Sequence, residues 1–93
     1  MILATFTKQP ADHLDYDVDF SDWLPDGDVI SSVAPSADAG ITLGATTISA
    51  DGKAVKQWVS GGEDGKTYKI TIRVTTAMAR VKEAEFKIKV RET

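Results

Sequence analysis

Between residues 15 and 20 the chain alternates acid and apolar: Asp15, Tyr16, Asp17, Val18, Asp19, Phe20. A period of two sets Tyr16, Val18 and Phe20 on one face of an extended segment and the three carboxylates on the other, the signature of a half-buried strand. The pattern returns over 67–75, where Tyr68, Ile70, Ile72 and Val74 alternate with Lys69, Thr71, Arg73 and Thr75. It returns again over 83–91, where Ala84, Phe86, Ile88 and Val90 alternate with Glu85, Lys87, Lys89 and Arg91. An amphipathic helix would space its apolar positions three and four apart, so these three segments predict strands. Residues 29–34, 41–47 and 54–60 are rich in β-branched side chains and bounded by turn formers, which predicts three more.

Reversals are signalled between these runs at Pro25-Asp26-Gly27, Ala39-Gly40, Asp51-Gly52 and Gly61-Gly62-Glu63-Asp64-Gly65, where glycine supplies the positive φ that tight turns need. Six or seven short strands at regular spacing with no convincing helix predict an all-β fold, an immunoglobulin-like antiparallel β-sandwich. Residues 76–85 hold Ala77, Met78, Ala79 and Val81, good helix formers, yet a helix there would deprive two strongly alternating strands of a short connection. A hairpin is therefore expected. Residues 34–40 are expected to form a loose loop of small residues. The N-terminal patch of Ile2, Leu3 and Phe6 either adds an edge strand or waits for a partner to order it. Tyr68, just after the Gly65 turn, either folds its hydroxyl back onto nearby backbone as a tyrosine corner or serves as a plain cross-strand aromatic.

Ninety-three residues set the scale: one domain, 1–93, with residues 1–12 flexible or an edge strand, and a core large enough to need no metal or disulfide staple. With no cysteine, the chain has no disulfide framework, thiol nucleophile or Cys-based zinc site. There is no apolar run of the roughly 20 residues a bilayer span requires, and the N-terminus lacks the basic start and apolar stretch of a secretory signal, so a soluble chain made in the cytoplasm is expected. The net charge of −3 speaks against a nucleic-acid surface, which needs a basic stripe.

The charge is unevenly distributed. Residues 1–52 hold nine Asp against Lys8 alone, while 53–93 hold ten basic against five acidic residues. In a sandwich the two halves interleave, and the Asp15, Asp17, Asp19 face is expected to lie beside Lys87, Lys89 and Arg91 of the last strand.

Few residues suggest chemistry. Asp15, Asp17, Asp19 and Asp22 have the outline of a calcium loop, but the intervening Tyr16, Val18 and Phe20 call for burial and a straight strand, and the mid-loop Gly and closing Glu are missing. A solvated strand face is the better reading. His13 is the only imidazole, which excludes a zinc site of several His and leaves one candidate for a nucleophilic relay, on a polar segment. The glycine run 61–65 lacks a following P-loop Lys and carries two acids that repel phosphate. No catalytic, cofactor-binding or metal-binding residue is expected. Two indoles remain: Trp58, in an apolar strand, is read as core or its margin against a contact surface, and Trp23, beside Leu24 before the Pro25-Asp26-Gly27 turn, either plugs the sandwich or anchors a partner.

The same residues carry a family resemblance. Leu14-Asp15-Tyr16-Asp17-Val18-Asp19-Phe20, followed by Asp22-Trp23-Leu24-Pro25-Asp26-Gly27-Asp28-Val29-Ile30-Ser31-Ser32, resembles the first half of a family of small tailed-phage and prophage virion proteins. Trp58-Val59-Ser60-Gly61-Gly62, Gly65-Lys66-Thr67-Tyr68-Lys69-Ile70-Thr71, then Thr75, Arg80 and the closing Phe86-Lys87-Ile88-Lys89-Val90-Arg91 are similar in order and spacing to its second half. Members are described as fiber-tail adaptor or head-tail region proteins and are about one immunoglobulin-like domain long. One departure is Ala77-Met78-Ala79, where the family tends to place a Gly before Arg80, which raises the prospect of a different turn in the last hairpin.

The resemblance implies a non-enzymatic virion adaptor, made in the bacterial host cytoplasm, that links tail-region components through sheet edges and loops. Its partners would be other virion proteins, with copies of the chain in a ring as a further expectation, and neither nucleic acid nor membrane. Docking is expected through Trp23, Leu24 and Asp26, supported by Asp15, Asp17 and Asp19 where they meet a basic partner. The rival reading from a different class is a carbohydrate- or cell-surface-binding module using Trp23, and a third is a calcium-binding sandwich.

Overall fold

The computed structural model describes residues 2–92. Seven strands follow in order among them: β1 (Ile2–Lys8), β2 (Leu14–Asp19), β3 (Ile30–Ala37), β4 (Ile41–Ile48), β5 (Ala54–Gly61), β6 (Thr67–Thr76) and β7 (Val81–Val90). They form two sheets, one in the order β1-β7-β6-β3 and the other β2-β5-β4. All pairings are antiparallel except that of β1 with β7, which is parallel.

The alternation in the sequence is reproduced as alternation in burial. Tyr68, Ile70, Ile72 and Val74 of β6 and Ala84, Phe86, Ile88 and Val90 of β7 are all buried, and they share one core with Tyr16 and Val18 of β2 and Val55 and Val59 of β5. Because β6 and β7 are in one sheet and β2 and β5 in the other, this cluster is the seam between two stacked layers. Burying an aliphatic side chain of this kind contributes about 1.5–3 kcal/mol. Phe86 carries Tyr16 across the seam, their ring centroids 5.4 Å apart.

Tyr68 acts as a corner post. Its buried hydroxyl accepts a hydrogen bond from the backbone N–H of Glu63, five residues upstream, at 3.0 Å, the arrangement of a tyrosine corner. Two glycines make room for its ring. A Cβ on Gly40 (φ +106°) would stand 3.1 Å from Tyr68 Cε1, and one on Gly62 (φ +95°) would stand 2.7 Å from a methyl of Val90 and 3.2 Å from Tyr68 Cε2. Both glycines need positive φ and lack of bulk together.

The N-terminal segment forms an edge strand: Phe6 lies opposite Ile88 in the parallel β1–β7 ladder. What the side chains of Ile2 and Leu3 do lies outside the described residues. Three expectations need correction. The small-residue stretch 34–40 is mostly strand, since β3 runs on to Ala37 and pairs with β6 as far as Ala37 opposite Ile70. Pro35 is tolerated because β3 is an edge. The Asp15, Asp17, Asp19 face does not adjoin β7; β2 pairs with β5, placing Asp17 opposite Lys56, and Asp15 reaches the Lys56 ammonium at 3.4 Å. Alternation fixes which face a residue occupies but not which strand lies next to it. Trp58 stays out of the core cluster; it is half-buried and stacks edge-on with His13 at 5.0 Å, while its neighbour Gln57 takes the inward position.

The last hairpin forms as expected, with Ala77–Arg80 as its loop, closed by bonds from Thr76 N–H to Arg80 O (2.8 Å) and from Ala79 N–H to Thr76 O (3.0 Å). Ala79 sits at φ +63°, the one non-glycine in this region among the described residues. The turn therefore takes the left-handed conformation although an alanine occupies the position before Arg80. That conformation crowds Cβ against the following carbonyl at a cost of about 1–2 kcal/mol. Ala79→Gly should stabilise the protein by about 1 kcal/mol net of the added unfolded-state entropy, read as a rise of about 4–8 °C in thermal midpoint by circular dichroism; an unchanged or lower midpoint would show the turn is unstrained.

Candidate partner-binding surface

Three connections converge at one end of the sandwich: the long β2–β3 loop (20–29), the β4–β5 turn (49–53) and the β6–β7 hairpin loop. Backbone bonds tie them together, from Phe20 N–H to Lys53 O (2.8 Å), Ile30 N–H to Gly52 O (2.8 Å) and Ala77 N–H to Val29 O (2.9 Å). Within the first loop, the N–H groups of Trp23 and Leu24 both donate to Phe20 O at 3.0 Å, which makes a single tight coil. Leu24 turns inward and is 8 % exposed, part of the core. Trp23 is half-buried, set edge-on to Phe20 at 6.5 Å, with the Lys82 ammonium 5.8 Å from its ring. Asp26 is exposed at the turn. Of the loop residues read as docking contacts, Asp26 faces outward, Trp23 is only part-exposed and packs against the core, and Leu24 fixes the coil from behind.

Beneath the loop lies a residue that composition gave no reason to single out. Asp28 is fully buried; its Oδ1 accepts the N–H of Val29 at 3.0 Å and that of Met78, fifty residues away, at 3.2 Å, while Oδ2 has no partner among the described residues. The carboxylate pins the hairpin to the loop. At this end of the sandwich Met78 is 62 %, Val81 50 % and Val29 39 % exposed, with Val81 on the outer face of β7, opposite to the face from which Lys82 reaches Trp23.

The acidic residues occupy the outer face of β2, where Asp15, Asp17 and Asp19 are all exposed. The segment is a strand paired residue by residue with β5 rather than a loop curled about a cation. Lys56 and Lys53 share its neighbourhood, and with Asp17, Asp19, Ser49 and Asp51 they line a shallow polar hollow leading to the loop end. Two of its carboxyls titrate low for local reasons. The Ser21 backbone N–H, 2.8 Å away, holds Asp19 below the ordinary aspartate value. The Ser49 hydroxyl, and after it the Lys53 N–H at 3.1 Å, does the same for Asp51.

At the opposite end, Lys8 is buried, its ammonium donating to the carbonyls of Gln9, Pro10 and Gly61. Burial lowers its proton affinity against the raising effect of Asp12. Gln57 is the other inward polar residue. It donates to Gly44 O at 3.2 Å and Trp58 O at 2.8 Å and is bonded to Thr46 Oγ1, filling the register break between Leu43 and Thr46 in β4. Both residues close gaps in the backbone bonding, a structural role that no spacing rule in the sequence announces.

The arrangement defines a class: an all-β, two-sheet protein whose polar investment goes into fixing loops and presenting side chains outward. The particular family follows from comparison. The family model of the podophage GP4 fiber-tail adaptor protein gp77 matches residues 8–89, and the chain belongs to that family. No curated protein matches it.

Asp28→Ala should remove the shared acceptor of the part-buried Val29 and Met78 N–H groups and cost about 1–2 kcal/mol in urea denaturation, with hydrogen exchange at Met78 accelerating first. Asp51 supplies a pH test. Its folded value is below the ordinary 3.8, so its contribution is present above 3.8 and is lost as pH falls through the folded value. The stability gap between the native chain and Asp51→Asn should therefore be open at pH 6 and close under acid, measured by denaturation at a series of pH values.

Proposed function

We propose that the chain is a virion fiber-tail adaptor, an immunoglobulin-like sandwich that joins tail-region proteins by surface contact and catalyses nothing. The observation that carries this is the family match over residues 8–89. The immunoglobulin-like reading is supported by the sheet order β1-β7-β6-β3 over β2-β5-β4, by the parallel β1–β7 pairing and by the Tyr68 corner. A chain without cysteine folds in the reducing host cytoplasm before assembly.

Docking uses the loop end. Trp23 is the anchor, since a half-buried indole keeps its apolar area for a partner while its own side-chain entropy is already lost to packing on Phe20 and Lys82. Val29 and Met78 add exposed apolar area at the same end, Asp26 provides a polar rim, and Asp15, Asp17 and Asp19 flank it with negative charge. A standard interface takes on the order of 800 Å² from each partner, well under a fifth of the 5315 Å² accessible surface. The chain therefore has room for two separate contacts, as an adaptor requires.

Mass spectrometry of purified particles should find the chain in stoichiometric copies, and its absence from mature virions would refute the role. Trp23→Ala should weaken binding to the tail partner by about tenfold or more, and added salt should weaken the native complex, because exposed charges are screened beyond about 8–10 Å. Saturable glycan binding abolished by the same substitution would favour a sugar-binding module instead.

A further inference from the structure

Four strands border the two sheets: β1 and β3 in one, β2 and β4 in the other. A bare border strand directs every second N–H and C=O outward without a partner, and proteins blunt such strands with bulges, proline or charged side chains. Three of the four are interrupted by bulges, whereas β2 is guarded only by the charge of Asp15, Asp17 and Asp19, which repels acidic strands and admits basic ones. The register of β1 slips between Ile2 and Thr5, that of β3 between Ile30 and Ser32 with Pro35 beyond, and that of β4 between Leu43 and Thr46. β2 is regular, keeping step with β5 at every position from Leu14 to Asp19, and no described strand pairs with its other side.

Resting on the adaptor reading, we infer that the free side of β2 accepts an added strand from another virion protein, one that carries Lys or Arg at alternate positions with apolar residues between them. Strand addition of this kind draws affinity from main-chain hydrogen bonds and specificity from alternate side chains. Side chains of the incoming strand fall about 5 Å from those of β2. On the outer face they meet Asp15, Asp17 and Asp19, all exposed, of which Asp15 alone reaches a lysine. On the other face they meet Phe6, 37 % exposed and stacked on Tyr16 at 4.8 Å. A second copy of this chain is the wrong occupant, because β2 against β2 would align aspartates with aspartates, a destabilising like-charge pairing.

The test uses the full chain with two synthetic decapeptides, one alternating Lys and Val, the other Glu and Val, followed by amide NMR titration and hydrogen exchange. The Lys-Val peptide should bind and slow exchange within residues 14–19, and the Glu-Val peptide should not bind. The double variant Asp15→Lys, Asp17→Lys, altered only at exposed positions, should lose about tenfold in affinity for Lys-Val and gain binding of Glu-Val. Equal binding of both peptides, protection on β1, β3 or β4 instead, absence of binding, or a dimer formed through β2 would each overturn the inference. The adaptor role is judged separately in the particle: a chain present in virions but inert to the peptide loses only the β2 site, and a chain absent from virions loses the adaptor role even where the peptide binds.

Discussion

Everything in this molecule hangs on the β6–β7 ribbon. Its two strands face each other over nine register pairs, from Thr67 opposite Lys89 to Thr75 opposite Val81, and every inward position along it except Lys82 is buried. One flank of the ribbon receives β3 and the other receives β1, while its inner face supplies the apolar floor on which β2 and β5 rest. A single-residue slip in this pairing would turn Ile70, Ile72, Phe86 and Ile88 to solvent and leave the second sheet nothing to pack on. The two devices at the ribbon's ends make such a slip costly: the Tyr68 hydroxyl bonded to Glu63 at one end and the Asp28 carboxylate holding Met78 at the other.

Charge has a different task from cohesion. The acidic first half and basic second half of the chain do become neighbours, but through Asp15 and Lys56 at 3.4 Å, two side chains substantially exposed. A surface pair of that kind contributes about 0–1 kcal/mol, small beside the burial of the ribbon. Like charges even stand opposite each other where Lys69 faces Lys87, relieved by Glu85 near Lys69 at 3.8 Å. Stability is therefore indifferent to much of the surface charge, and the proposed role of the β2 carboxylates in selecting a partner carries little cost to the fold.

What could be read from the sequence was what depends on neighbours along the chain. Period-two alternation marked β2, β6 and β7, glycine turns marked the reversals, and the short link between two strong strands argued for a hairpin over 76–85 against the helical preference of its alanines. The Tyr68 hydroxyl, one of two alternatives in the sequence, found its backbone partner because Gly62 and Gly40 clear the ring's path. Facts set by distant partners were not legible. β3 continues through Pro35 to Ala37 because β6 is long enough to pair with it, which small residues alone do not foretell. Trp58, read as core or its margin, faces outward toward His13 because β5 alternates with Val55, Gln57 and Val59 inward, and the polar Gln57 at an inward position hides that alternation in the sequence. Lys8 and Asp28 look like ordinary surface charges until the fold closes over them.

The two surfaces with most to offer a partner are continuous along the chain. β2 ends at Asp19, whose carboxylate takes the N–H of Ser21, and Phe20 accepts both N–H groups of the coil that presents Trp23. The same Phe20 bonds through its own N–H to Lys53, locking the end of β2 to the β4–β5 turn. A load applied along β2 is thus transmitted to Trp23 through hydrogen bonds and core packing, with no flexible linker between, because Leu24 and Phe20 are both buried. In the proposed adaptor role, rigidity between contact areas matters as much as the contacts themselves: a hinge there would cost each partner the orientational freedom that a preorganised surface has already given up.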